Sequence, residues 1–143
     1  MTNRDDIKSV LDELGIIYKM DINVMNNDIT IDTYFINFVV DNHIISGGIL
    51  DGGASDDKHI SILFFIDTSN IFENNENNCL KIINRFNQDC KYGNFFVDDD
   101  NDIVYSLAVP AIESDHVERK VFKFYFSSVL SIIADSIREI IHG

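Results

Sequence analysis

The sequence predicts an α+β fold: an antiparallel sheet of about five strands with three helices, in the order α-β-β-β-α-β-β-α. Two observations carry this. Apolar residues recur at helical spacing at the start, middle and end of the chain, and runs rich in Ile, Val, Phe and Tyr alternate with period two between them. At 143 residues, with 45% hydrophobic residues and a single proline, Pro110, the chain reads as one domain over 1–143.

Ile7, Val10, Leu11 and Leu14 mark a first helix over residues 3–14, with Asn3 or Thr2 as N-cap and Gly15 as its stop. Three strands follow at Ile16–Ile22, Ile29–Val40 and Lys58–Ile66, separated by Asn, Asp and Gly clusters. A second helix is expected from Asn70, in capping-box spacing with Glu73, to Asn87, turning Phe72, Cys79, Ile83 and Phe86 inward. Asn94–Val97 and Ile103–Val109 then form a hairpin around the Asp98–Asp102 turn. Phe122, Phe126, Val129, Leu130, Ile133, Ile137, Ile140 and Ile141 form one stripe of a long last helix, with Asp115 and Glu118 in capping spacing before it.

The net charge of −13 disfavours nucleic acid and anionic membranes as partners, because both require clustered Lys and Arg. Residues 116–143 carry four basic and three acidic side chains, which leaves 7 basic and 21 acidic among the first 115. The acid therefore lies outside the last helix. Cys79 and Cys90 read as free thiols of a reducing cytoplasm. The start of the chain has no signal pattern, and the apolar run Phe124–Ala134 is too short to span a bilayer.

No motif points to catalysis, a metal or a cofactor. Asp98, Asp100 and Asp102 match the first ligand positions of a calcium loop, but Ile103 stands where Gly is required and Val109 where Glu is required. A solvated turn is the better account. His43 and His59 flank a loop holding Asp51, Asp56 and Asp57, in a spacing that matches no ligand motif. Gly47-Gly48 and Gly52-Gly53 lack the pattern of a phosphate cradle and are read as turn glycines. Cys90 has no signature of a nucleophile. Asn84 and Asn87, one helical turn apart, are placed as structural residues that bond main-chain groups where the helix ends.

The sheet is the informative feature. Ile60, Ile62, Phe64 and Ile66 oppose Leu63 and Phe65, while Tyr34, Ile36, Phe38 and Val40 oppose Phe35 and Val39. Both faces carry bulk apolar groups, so helices sandwich the sheet or a subunit or partner covers its second face. Tyr34, Phe38, Leu63 and Phe65 are the candidate partner-binding residues.

Residues Asn84-Arg85-Phe86-Asn87, Phe95-Phe96-Val97, the Asp98–Asp102 turn and Ile103-Val104-Tyr105 together resemble the YbjN-like family of small bacterial proteins. Phe86 stands where that family commonly has Trp. The family is similar in fold to class I chaperones of type III secretion, which are small, acidic and usually homodimeric. The resemblance implies this fold and a tendency to bind protein; together with the apolar sheet face and the sparse cysteines, the expectation is a non-enzymatic polypeptide-binding module, chaperone-like or a regulatory adaptor, cytoplasmic and homodimeric. The alternative expectation is an acidic immunity or inhibitor-type protein that blocks a basic toxin or nuclease, and it rests on the charge.

Overall fold

The computed structural model describes residues 3–26, 29–51, 59–66, 76–99, 102–110 and 117–142. The elements in order are α1 (Asn3–Glu13), β1 (Tyr18–Asn26), β2 (Ile29–Val40), β3 (His43–Asp51), β4 (His59–Ile66), α2 (Glu76–Asp89), β5 (Asn94–Val97), β6 (Ile103–Pro110) and α3 (Arg119–His142). The fold is α+β, with three helices and a six-stranded antiparallel sheet in the order β1-β2-β3-β4-β6-β5.

The sixth strand is β3, where a loop was expected. Asp41 and Asn42 adopt φ of 48° and 68°, the left-handed conformation that a two-residue hairpin turn demands and that Asp and Asn tolerate. Val40 consequently pairs with His43, and the pairing continues to Asp32 with Asp51. Gly47 and Gly48 therefore lie inside a strand and are not turn glycines. A Cβ on Gly47 would lie 2.3 Å from both the Leu63 carbonyl oxygen and the Phe64 ring, and one on Gly48 would lie 2.8 Å from the Tyr34 carbonyl oxygen. Close approach, not turn geometry, requires glycine here. Gly52 and Gly53 fall outside the described residues.

Gly15 does end α1. Its φ is +69°, its N–H bonds the Asp12 carbonyl at 3.1 Å, and the Ile16 N–H reaches back to Leu11 at 2.9 Å, the paired bonds of a Schellman stop. Asn3 serves tertiary structure as well: its Oδ1 accepts from the Val117 N–H at 2.9 Å and its Nδ2 donates to Asp51 at 3.1 Å. The expected Asn70–Glu73 box, Phe72 and Asp115 lie outside the described residues.

Helices α1, α2 and α3 bury their apolar stripes in one core on one face of the sheet. Ile7, Val10 and Leu11 come from α1, Ile83 and Phe86 from α2, and Phe122, Phe126, Val129, Ile133 and Ile137 from α3. They meet Tyr34 and Ile36 of β2, Ile45 and Ile49 of β3, Ile60, Ile62 and Phe64 of β4, Phe95 of β5, and Ile103 and Tyr105 of β6. Each such side chain contributes roughly 1.5–3 kcal/mol on leaving water, before chain entropy is set against it. Phe64 sits near the centre, edge-on to Phe38 with centroids 5.4 Å apart and tilted against Phe126 at 6.4 Å.

Candidate protein-binding face

Strand pleating sends every second residue to the face opposite the helices. The registers align these residues in rows across the strands. One row runs Phe35, Gly48, Leu63, Ser106, Asn94, and the next runs Asn37, Ser46, Phe65, Val104, Phe96, with Val39 beside Ile44 beyond it. Among the described residues no helix packs on this face. Phe35, Val39, Ile44, Phe65 and Phe96 are all exposed there, Ile44 at 69% and Val39 at 64%. Val104 is 2% exposed despite its place on this face, because Phe65 and Phe96 flank it on the neighbouring strands. The aromatic rings form ridges, and Gly48, which has no side chain, leaves a dip between Phe35 and Leu63.

Away from its margin the face is also uncharged. Between Ile31 and Val39 of β2, Ile44 and Leu50 of β3, Ser61 and Phe65 of β4, Val104 and Ala108 of β6, and at Asn94 and Phe96 of β5, it is built of Ile, Thr, Phe, Asn, Val, Ser, Gly, Leu and Ala, in a molecule of net charge −13, and the register sets His59 beside Pro110 at its edge. Lys19 and Asp21, opposite Phe35 and Thr33, bring charge only at the β1 border.

The four residues expected to bind a partner do not share a surface. Leu63 and Phe65 lie on the open face, but Tyr34 is wholly buried beneath the helices and Phe38 packs on Phe64 within the core. Strand parity is the reason: Tyr34 and Phe38 point the same way as Ile36 and Val40, while the open face takes Phe35 and Val39. Ile44, Phe96 and Val104 were missed, and for Ile44 the missing signal was the Asp41-Asn42 turn that starts β3.

Of the two asparagines, Asn87 carries the structural role. Its Oδ1 accepts from the Phe95 N–H at 2.7 Å and its Nδ2 donates to the Phe95 carbonyl at 3.0 Å, so one side chain satisfies both main-chain groups of a residue on the outermost strand. Asn84 is exposed. Next to this joint Phe86 packs on Phe95 at 5.2 Å with Arg85 over its ring at 5.9 Å.

His43 and His59 begin successive antiparallel strands, β3 and β4, so the hairpin separates them by its length and the suggested histidine cluster does not form. The described residues contain no group of three or more His, Cys, Asp or Glu able to hold a metal ion. Asp98 and Asp102 bond each other, the Asp98 N–H to the Asp102 carbonyl at 3.0 Å and the Asp102 N–H to Asp98 Oδ1 at 2.9 Å, while Asp100 and Asn101 lie outside the described residues. Cys90 is a free thiol whose hydrogen goes to the Tyr92 carbonyl. None of the described helices is long and apolar enough to cross a membrane.

A polar cluster unforeseen from the sequence joins α1 to the sheet. Asp32 and Asp51 are direct cross-strand neighbours, 8% and 7% exposed. Arg4 grips Asp32 with two bonds, Nε at 2.9 Å and a terminal nitrogen at 3.1 Å, while Asn3 donates to Asp51. The fork of a guanidinium suits a carboxylate held beside a second one, because charge and geometry are matched together. Tyr34 lies next to this pair with its hydroxyl buried and without a hydrogen-bond partner among the described residues; burial first, and the carboxylates second, push its ionisation above the usual phenol value.

A family model described as "Putative bacterial sensory transduction regulator", the YbjN family, matches residues 37–142. Comparison with curated protein sequences gives no match. Among solved structures the chain is similar to one titled "Crystal structure of YbjN, a putative transcription regulator from E. coli", at 17% identity and a TM-score of 0.49, covering 95% of this chain and 89% of that one. With most of its length matched by the family model, from the middle of β2 to the end of α3, the chain belongs to the YbjN family.

Proposed function

We propose that this protein is a non-enzymatic, polypeptide-binding regulatory adaptor with chaperone-like character, acting as a cytoplasmic homodimer, and that its binding surface is the open face of the sheet. One observation carries the reading: four of five adjacent strands present exposed Phe, Ile or Val, and the described side chains between them on that face carry no charge, on a strongly acidic molecule. An apolar surface of this kind suits apolar polypeptide segments, whereas a charged ligand would find nothing on it to compensate its desolvation. The family description as a regulator agrees with a role exercised through binding.

The test is a pull-down from the native host, washed at low and at moderate salt, with wild type beside Phe35→Lys. An apolar contact loses little when charges are screened, so wild type should keep its partner through both washes and the variant should lose it. Recovery of a basic nuclease or toxin that the salt wash removes, and that Phe35→Lys still holds, would overturn the proposal in favour of an acidic inhibitor.

A further inference from the structure

We infer that a second site lies on the outer surface of α3 and takes a nucleoside polyphosphate, its phosphates held by Arg119, Lys120 and Lys123 and its base by Phe124. An open groove of about 560 Å³ runs there, a volume suited to a small ligand, and α3 supplies its lining among the described residues. Lys123 follows Arg119 by four positions and Lys120 by three, and Phe124 follows Lys120 by four, so the three cations and the ring share one side of the helix. Three of the chain's 11 Lys and Arg thus meet within five residues, in a molecule that carries 24 Asp and Glu. Further along the groove Ser127 and Ser131 add hydroxyls able to donate to phosphate oxygens, whereas the Ser128 hydroxyl is spent on the Phe124 carbonyl at 2.8 Å.

Carboxylates already attend these cations. Glu13 of α1 takes Lys123 Nζ at 2.8 Å and the Arg119 guanidinium, and Glu118 stands 3.8 Å from Lys120. Three positive charges against two negative leave the groove with one net positive charge. A polyphosphate carries more negative charge than Glu13 and competes with it for Lys123 and Arg119, so binding there is coupled to the tie between α1 and α3. The ring has its own support: Tyr92 and Tyr125 meet Phe124 at 82° and 78°, with centroids 5.9 Å and 5.4 Å away, which fixes it while leaving it 54% exposed for a base to stack on. Size selects a nucleotide over a nucleic acid. A long polyanion would run past three cations onto acidic surface, whereas a small one ends within the groove.

Isothermal titration calorimetry of the full chain with ATP, inorganic tripolyphosphate and adenosine, at low salt and without added metal, tests this. ATP should bind, tripolyphosphate roughly tenfold more weakly for want of the stacked base, and adenosine more weakly than ATP for want of the charge. Lys120→Glu should weaken ATP and tripolyphosphate alike by about tenfold or more. Phe124→Ala should weaken ATP and leave tripolyphosphate unchanged, and Glu13→Gln, which removes the competing carboxylate, should tighten both. Arg138→Glu makes the same change of charge as Lys120→Glu at an exposed position of α3 outside the groove, and should leave both ligands as in wild type. No binding of ATP at millimolar concentration, tripolyphosphate bound as tightly as ATP, a Lys120→Glu effect no larger than that of Arg138→Glu, or Glu13→Gln no tighter than wild type would each overturn the inference.

Discussion

Asn87 shows how much one side chain can settle. Phe95 lies on the outermost strand, and an amide side chain is the group that can serve its N–H and carbonyl at once. Asn87→Ala removes both bonds and should cost about 1–3 kcal/mol in urea unfolding, while exposed Asn84→Ala should stay within about 0.5 kcal/mol. A reversed order would mean that the family's paired asparagines act through Asn84. The structural role of these residues was legible because Asn at a helix end has few other uses. The purpose of Gly47 was not, since a glycine required by a ring across the sheet looks the same in sequence as one required by a turn.

Helices α1 and α3, far apart in the chain, are tied at their surface by Glu13, which takes Lys123 Nζ at 2.8 Å and the Arg119 guanidinium, while Arg119 Nε donates to Ser9 at 3.0 Å. The hydrogen bonds from Lys123 and then Arg119 hold the Glu13 carboxyl below its ordinary value of 4.5. A carboxylate with a depressed folded-state value contributes stability above its unfolded value, and that contribution disappears as pH falls through the folded one. The melting temperature of wild type should therefore drop below pH 4.5 more steeply than that of Glu13→Gln, with the two converging at the acid end. Parallel curves in thermal melts at stepped pH would leave the tie without energetic weight. Such a contact cannot be read from sequence, because nothing local in Glu13 or Lys123 announces the other.

A single core runs under the whole sheet, from Val10 of α1 through Phe64 to Phe95 of β5, and α3 crosses its middle. Ile133 is wholly buried there. A continuous core implies cooperative loss, so near-ultraviolet tyrosine signals and far-ultraviolet helix signals should melt in coincident transitions. Ile133→Asp would place an unpaired carboxylate in that core at a cost of several kcal/mol, a large share of the stability of a domain this size, and should leave the protein unfolded or insoluble. Two separated transitions in wild type would argue against one domain, and a folded Ile133→Asp with an unchanged melting temperature would argue against the core described.

The α+β class, the three helices and five of the six strands follow from short-range physics that sequence records directly: helical and strand periodicity, a glycine stop after α1, an Asp-rich turn between β5 and β6. That both sides of the central strands are apolar was equally plain. Which side the helices cover is a different kind of fact. It depends on the parity of residues across paired strands, and so on a two-residue turn at Asp41-Asn42 that moves nine residues from loop to sheet. Only the assembled sheet separates Tyr34 and Phe38, committed to the core, from Leu63 and Phe65, left facing outward, because a strand carries alternation but not the identity of the element that will pack on it.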